Sequence, residues 1–197
     1  MRCEFCAIPV GPVDARCGQC LAQRPAYDST TVACDYMAPL DQLVLSLKFG
    51  QRLPVAAALA NLLAASVKKT VPPPEIPDLF IPVPLSRERL AERGFNQALE
   101  IARPLAKALN RPISPNLLHR VRHTTAQSLL HPDQRHENIM HAFSPNRRYK
   151  DKIVGQHIGV VDDVMTTGAT LHEIAACLKR HGAGRVSNFV FARTPPH

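Results

Sequence analysis

The chain has 197 residues, of which 45% are hydrophobic, and this length suffices for one substantial core with a small appendage. Its formal net charge of +8 favours anionic partners: phosphorylated metabolites, nucleic acid or an acidic protein surface. The sequence has no charged-then-apolar leader and no apolar run near the roughly 20 residues of a membrane span, so we expect a cytoplasmic protein with reduced thiols.

The first 25 residues form a distinct region without apolar periodicity, and they hold four of the six cysteines. Two C-x-x-C pairs, separated by ten residues, supply Cys3, Cys6, Cys17 and Cys20. Four thiolates are the preferred shell of a structural Zn²⁺, and a segment too small to build a core would gain its stability from the metal. A redox pair is the alternative, but neither pair opens a helix after a strand. Cys34 and Cys177 fit no pair and are expected to be small buried residues.

Beyond residue 31 the hydrophobic pattern alternates between strands and helices. Strands are predicted over residues 32–37, 79–83, 157–161 and 185–192, and helices over 40–48, 54–69, 96–109 (with Pro104 disturbing it) and 170–181, where Gly182 suits a helix end. Residues 71–77 are expected to form an extended proline-rich connector, 117–140 are ambiguous, and 145–152 form a basic loop. This alternation predicts a mostly parallel sheet covered by helices on both sides.

The most informative segment is IGVVDDVMTTGATL, residues 158–171, in which an apolar strand ends in two carboxylates and a Thr/Gly loop opens a helix. A loop at the carboxyl end of a parallel strand is where open α/β sheets bind ligands, and the first N–H groups of a helix suit a phosphate. The loop residues predicted to bind it are Thr166, Thr167, Gly168, Ala169 and Thr170. Gly168 allows a positive φ, and the three threonine hydroxyls add donors.

Asp162 and Asp163 would repel a phosphate on their own. They are useful if they hold sugar hydroxyl groups, or a Mg²⁺ that neutralises the phosphates. The segment therefore predicts a ligand that carries both a phosphate and a diol, such as a ribose 5-phosphate. An acid-ended strand followed by an ordinary helix cap is the alternative interpretation.

Two basic segments precede this motif. RERLAERGFNQ, residues 87–97, carries arginines suited to bidentate phosphate contacts, although interleaved glutamates also fit a solvated turn. Residues 119–152 hold seven Lys/Arg against three acids, together with five of the nine histidines. We interpret this second segment either as a mobile surface loop or as a lid over an anionic substrate.

Taken together, these motifs resemble the signature for 5-phosphoribosyl-1-pyrophosphate (PRPP) of type I phosphoribosyltransferases, and specifically the ComF family of competence-associated proteins, including its GntX-type members. The resemblance covers almost the whole chain. It implies a type I phosphoribosyltransferase-like parallel sheet flanked by helices over residues 26–197, preceded by a zinc ribbon over residues 1–25. One departure is Ala7, which follows Cys6 where glycine often stands in such ribbons.

The resemblance also implies roles for individual residues. Asp162 and Asp163 would contact the ribose 2- and 3-hydroxyls, and the loop from Thr166 to Thr170 would wrap the 5-phosphate. The pyrophosphate side would be formed by Arg89, Arg93, Asn96 and Gln97, and by Arg120, Arg122, Gln127 and Arg135.

The resulting expectation is a Mg²⁺-dependent, PRPP-binding phosphoribosyltransferase with a structural zinc, no assigned catalytic residue and an open acceptor. Two alternatives stand beside it: a single-stranded DNA-binding accessory module of the competence machinery, and a PRPP sensor without catalysis. Few aromatic residues and the acidic pair count against the nucleic-acid alternative.

Overall fold

A four-stranded parallel sheet lies at the centre of the protein. The computed structural model describes residues 1–50, 52–121 and 140–195. The strands are β1 (Ser29–Asp35), β2 (Leu79–Pro82), β5 (His157–Met165) and β6 (Arg185–Arg193), in the order β1-β6-β5-β2. A short antiparallel pair lies outside this sheet and joins β3 (Leu118–Arg120) to β4 (Phe143–Pro145).

Six helices accompany these strands in the described part of the chain. They are α1 (Gly18–Ala22), α2 (Leu40–Gly50), α3 (Leu53–Thr70), α4 (Arg87–Arg93), α5 (Gln97–Ala108) and α6 (Ala169–Arg180), with 3-10 turns at Pro73–Glu75 and Arg147–Lys152. The predicted parallel sheet flanked by helices is therefore confirmed. Pro104 lies inside α5 without ending it, and Gly182 follows the end of α6, as predicted, with φ +94°.

Two apolar layers cover the sheet. On one face, α3 and α5 bury leucine and isoleucine side chains such as Leu63 and Ile101 against Phe80 and Phe189 of the strands. On the other face, α6 packs against the alternate side chains of the same strands, such as Val160. Successive residues of a strand point to opposite faces, so the continuous apolar runs of β5 and β6 supply both layers at once.

The cysteine-bearing segment packs on the α6 side of the sheet. Cys3, Phe5 and Ala7 belong to the same cluster of buried side chains as Ile174 of α6 and Val190 of β6. This segment therefore shares its buried surface with the sheet.

Three predicted loops contain helical turns, and one of them is the basic loop of residues 145–152, where Arg147–Lys152 is a 3-10 segment. Residues 71–77 are not fully extended, because prolines fit the first turn of a helix and Pro73–Glu75 closes as a 3-10 turn. The first basic segment, residues 87–97, begins with α4. The hydroxyl of Ser86 caps the start of this helix, and Gly94 ends it with φ +77°. Among the helices that the structure describes, none combines the length and apolar character of a membrane span.

The connections between strands and helices create a crevice at the carboxyl ends of β2 and β5. After β2 the chain continues into α5 on one face, whereas after the neighbouring strand β5 it continues into α6 on the other face. Where adjacent parallel strands send their helices to opposite faces, a crevice opens outside their carboxyl ends, and ligands of open α/β sheets bind there. The crevice of this protein lies beside residues 82–86 and 162–170.

Candidate functional site

The two predicted carboxylates lie inside β5, which extends to Met165 instead of ending before them. Asp162 Oδ1 accepts a hydrogen bond from the N–H of Asp163 (2.9 Å), and Asp163 Oδ1 accepts one from the N–H of Val164 (2.7 Å). By strand alternation, Asp163 lies on the side of Val161 and the α3–α5 layer, and Asp162 lies on the side of Val160. The two acids therefore have different surroundings.

Lys48, in the last turn of α2, is a site residue that sequence reasoning missed. Its Nζ lies 3.0 Å from Asp163 Oδ2, and the side chains of Lys48 and Asp163 are only 21% and 10% exposed. The two residues are more than a hundred positions apart in the sequence. No local pattern links them, and only the packing of α2 beside the sheet brings them together.

The carboxyl of Asp162 has a raised pKa. Its burial, and then the charge of Asp163, raise the pKa of its carboxyl to about 7, although Lys48 and Arg120 act in the opposite direction. The raised pKa shows that the surroundings of Asp162, through its burial and then the neighbouring carboxylate, disfavour its charged form.

The loop after β5 has the features of a phosphate site. Thr166 and Thr167 are exposed, and the N–H of Ala169 donates to Thr167 Oγ1 at 3.4 Å. Gly168 precedes α6 with φ +82° and has no side chain to cap the helix. The first turn of this 12-residue helix thus directs backbone N–H groups and the positive end of its dipole toward the crevice.

The residues of α4 and the start of α5 line the β2 side of the crevice. Arg89 is half-buried, and its burial, with the charge of Arg93, lowers the pKa of its guanidinium. Arg93 donates to Gln97 Oε1 (3.1 Å) and lies over the exposed ring of Phe49, with 5.9 Å between guanidinium carbon and ring centre. The Nε2 of Gln97 is buried and, within the described residues, has no hydrogen-bond partner.

Asn96 has a local structural function. Its Oδ1 accepts from the N–H of Leu99 and caps α5, and its Nδ2 donates to the carbonyl of Val83 at 3.0 Å. Both ends of the amide thereby attach the start of α5 to the end of β2. Asn96 thus holds the crevice wall in place, and its predicted position on the pyrophosphate side stays a prediction.

Arg120, at the end of β3, connects the two sides of the crevice. Burial lowers the pKa of its guanidinium to about 10, helped by the charge of Arg89 and opposed by Asp162 and Glu88. Arg120 is thus within electrostatic reach of both the acid pair and α4. It also lines a cleft of about 830 Å³ together with Ser86, Asn96 and His119. Arg122, Gln127 and Arg135 lie outside the described residues.

The four N-terminal cysteines come together as predicted. Their sulfur atoms all lie within 4.8 Å of one another, all four residues are buried, and Cys6 Sγ is 3.6 Å from Cys17 Sγ. In a tetrahedral ZnS₄ centre with Zn–S bonds of about 2.3 Å, neighbouring sulfurs are about 3.8 Å apart, so this donor set fits a zinc ion. None of the six cysteines forms a disulfide.

The four thiols of the cluster have different surroundings, and burial raises the pKa of the Cys6 and Cys20 thiols. Burial raises the pKa of the Cys3 thiol, but N–H groups of Cys6, Cys17 and Phe5 outweigh it and bring that pKa to about 7. Ala7, which stands where glycine is frequent, adopts the left-handed conformation with φ +57°. Outside the cluster, Cys177 is buried as expected, whereas Cys34 is only half-buried.

Two buried side chains link the cysteine cluster to the phosphate-type loop. Arg193 donates from Nε to the carbonyl of Cys6 (2.9 Å) and from Nη1 to the carbonyl of Met165 (3.2 Å). Tyr27, only 3% exposed, lies on the other side of the loop, where its hydroxyl would be 3.0 Å from a Cβ placed on Gly168. Arg193 therefore joins the cysteine cluster to the end of β5, and Tyr27 packs against Gly168.

Comparison with known proteins identifies relatives of the chain. The family model described as "Phosphoribosyl transferase domain" matches residues 96–196. The chain is 38% identical over 195 residues to the "DNA utilization protein YhgH" of Salmonella typhi, covering 98% of this chain and 84% of that protein. It is 33% identical over 193 residues to "Competence protein F" of Haemophilus influenzae, covering 97% of this chain and 84% of that protein. It is also 34% identical over 117 residues to "Competence protein ComFC" of Bacillus subtilis, covering 59% of this chain and 45% of that protein.

The fold and the family model define a protein with a phosphoribosyl transferase domain. The extent of the matches then specifies the group: the chain belongs to the ComF family of competence proteins.

Proposed function

We propose that the crevice at the carboxyl ends of β2 and β5 binds PRPP together with Mg²⁺, and that the protein transfers the phosphoribosyl group to an acceptor with release of pyrophosphate. Three kinds of group lie around one crevice: an acid pair, a helix start that lacks a side-chain cap, and two half-buried arginines. This arrangement is the observation that carries the proposal. Sugar hydroxyls, a 5-phosphate and a pyrophosphate require these three kinds of group.

Each group has a separate part in the proposed binding. Asp162 and Asp163 accept hydrogen bonds from the ribose hydroxyls, and the loop from Thr166 to Thr170 binds the 5-phosphate. Arg89 and Arg120 face the pyrophosphate, whose negative charge their guanidinium groups offset. Arg93 and Gln97 support that wall from α4 and α5, beside the structural Asn96.

The donor set at the crevice also fits a magnesium ion, since Mg²⁺ is commonly held by one or two carboxylates together with substrate phosphates. Asp162 and Asp163 are the carboxylates that would hold it, and the ion would neutralise pyrophosphate charge. Zinc in the four-cysteine cluster is structural in this proposal, because all four positions are protein ligands. Residues 1–25 would then form a zinc-held appendage on a phosphoribosyltransferase-like domain of residues 26–197, in a cytoplasmic protein.

In the transfer step, the bond between the anomeric carbon and the pyrophosphate oxygen breaks and the electron pair leaves with pyrophosphate. A nucleophilic atom of the acceptor then forms the new bond to that carbon. The chain contributes by positioning the sugar, stabilising the departing charge and excluding water. We assign no described residue as a general base.

The test is calorimetric titration of the purified protein with PRPP in the presence of Mg²⁺. We expect binding in the wild type and a loss of about tenfold or more in affinity in the Asp162→Asn/Asp163→Asn variant, since two acceptors of sugar hydroxyls become amides. Asp151→Asn, an exposed aspartate away from the crevice, is the matched control and is expected to bind like the wild type. Unchanged binding in the double variant, or none in the wild type, would refute the proposal.

Pyrophosphate release separates an enzyme from a sensor. A panel of bases and amines is mixed with PRPP, and the acceptor is the compound that makes pyrophosphate appear. PRPP binding without release for any acceptor in the panel would favour the sensor.

A nucleic-acid function is the second candidate, because relatives carry the names "DNA utilization protein" and "Competence protein". Salt-dependent binding of single-stranded DNA that is lost on neutralising Arg120 and Arg122 would favour it.

A further inference from the structure

The end of α2 reaches into the proposed sugar site from outside the recognised motifs. Lys48 Nζ contacts Asp163 Oδ2 at 3.0 Å, and both side chains are largely buried. Among the ion pairs of the described residues, this is the one that involves an acid of β5. Lys48 is thus a cation in direct contact with the acid pair.

The contact makes the two carboxylates unequal. Asp163 uses Oδ1 for the N–H of Val164 and Oδ2 for Lys48, so both of its oxygens are fixed by the protein. Within the described residues, Asp162 accepts a hydrogen bond through Oδ1, from the N–H of Asp163. A carboxylate oxygen has two acceptor directions, so Asp163 Oδ2 can take a sugar hydroxyl while it keeps Lys48.

Burial makes the cation necessary. Asp163 is only 7% exposed, and a carboxylate that deep without a counter-charge is strongly unfavourable. Without Lys48 the carboxylate would be expected to rotate toward solvent or to lose its fixed direction. Either change would remove a directed acceptor from the crevice.

We propose that Lys48 is a positioning residue of the sugar site, which holds the Asp163 carboxylate in the direction required by one ribose hydroxyl and so makes the site select a ribose phosphate over its deoxy analogue. The inference rests on the proposed function, and it adds a residue from α2 that acts through Asp163 without touching the sugar.

The test compares three sugar phosphates by calorimetry: ribose 5-phosphate, 2-deoxyribose 5-phosphate and 3-deoxyribose 5-phosphate. Wild-type protein is expected to prefer ribose 5-phosphate over both analogues. Lys48→Met is expected to bind ribose 5-phosphate about tenfold more weakly, because Asp163 no longer accepts a hydrogen bond from one ribose hydroxyl. The variant should therefore bind ribose 5-phosphate and the analogue without that hydroxyl equally well. Inorganic phosphate, which probes only the loop after β5, should bind Lys48→Met and wild type equally.

Two variants control for charge and for chemistry. Lys68→Met removes the same charge from the exposed last turn of α3 and should behave like the wild type. Lys48→Arg keeps a cation beside Asp163 and should recover most of the selectivity. A purely structural role would alter stability without changing which sugar is preferred.

A double-variant comparison keeps the proposal testable if Lys48→Met folds poorly. Lys48→Met/Asp163→Asn contains no buried uncompensated carboxylate, and it should select among the sugars no worse than Asp163→Asn alone, because Lys48 acts through Asp163. Additive effects of the two changes, or unchanged selectivity in Lys48→Met, would overturn the role of Lys48 while leaving the proposed function intact. Failure of the wild type to bind PRPP and ribose 5-phosphate would overturn both.

Discussion

Gly168 is the residue at which the loop after β5 is most constrained. Its φ of +82° lies in the left-handed region, which is unfavourable for a residue with a Cβ. A Cβ there would also come within 2.6 Å of Met165 Cε and 3.0 Å of the Tyr27 hydroxyl. Met165 can move its flexible end, but Tyr27 is buried beside the cysteine cluster, so the glycine is required for both conformation and space.

Replacing Gly168 by alanine should therefore destabilise the protein and disturb the phosphate loop. We expect the left-handed conformation alone to lower the free energy of unfolding by about 1–2 kcal/mol, with a further loss from the contact with Tyr27. Gly155→Ala is the matched control, since Gly155 has φ +71° but no atom within 4 Å of its Cβ position. Chemical denaturation should rank the variants in the order wild type, Gly155→Ala, Gly168→Ala, and only Gly168→Ala should weaken phosphate binding. Equal losses in the two variants would show that the contact with Tyr27 is unimportant.

At the scale of elements, the sequence predicted those that carry a long apolar pattern. The four strands of the sheet and the helices α2, α3, α5 and α6 all lie within a few residues of their predicted bounds. The three-residue strands β3 and β4 were not predicted, because so short a segment has no periodicity and is stabilised only by its partner strand. The helical turns at residues 73–75 and 87–93 were missed because prolines and alternating charges suggested extended or solvated loops.

The same limit applies to the site. The acid pair and the loop from Thr166 to Thr170 are contiguous in the sequence, so local chemistry was enough to bring them to attention. Lys48 comes from a helix that no motif connects to β5, and its role depends on a tertiary contact. The different surroundings of Asp162 and Asp163 likewise follow from which helices cover each face of the sheet. Their separate functions remain predictions for the binding measurements.

The cysteine cluster is the element whose loss should affect the rest of the molecule most. Removing the proposed zinc would leave four thiols in a segment that shares its buried surface with α6 and reaches Met165, at the end of β5, through Arg193. A loss of even about 3 kcal/mol would lower the thermal midpoint of a chain of this length by about 6–12 °C. We expect a strong chelator to produce at least such a shift and to weaken phosphate binding.

Metal analysis provides the control for that prediction. The wild type and Cys34→Ser, a change outside the cluster, should each contain one zinc per chain, whereas Cys6→Ser should contain less. Purified wild-type protein without stoichiometric zinc would contradict the assignment of the cluster.

At the scale of the whole molecule, the net charge of +8 is unevenly placed relative to the crevice. The 3-10 segment Arg147–Lys152 carries four basic side chains, all exposed, and it precedes β5 at the amino end of the sheet. The crevice lies at the opposite, carboxyl end, where Arg89 and Arg120 are half-buried and Arg120 is within electrostatic reach of Asp162. Exposed cations attract any polyanion, whereas the crevice requires a ligand that also satisfies two carboxylates.

This separation predicts that single-stranded DNA and PRPP bind independently. We expect a thymidine oligonucleotide to bind through exposed cations, so that its affinity falls steeply between about 50 and about 200 mM salt, while PRPP binding changes far less. Neutralising Arg147, Arg148 and Lys150 with glutamine should reduce the salt slope for DNA by about two and leave PRPP binding unchanged, since each lost phosphate contact with a single strand removes about 0.7 from the slope. The Asp162→Asn/Asp163→Asn variant should show the reverse pattern, with PRPP binding weakened and DNA binding retained or strengthened.

Fluorescence anisotropy of the oligonucleotide, repeated with saturating PRPP, measures directly whether the two ligands affect each other's binding. Displacement of the oligonucleotide by PRPP would mean that DNA occupies the crevice, and the nucleic-acid function would then belong to the same site as the phosphoribosyl ligand.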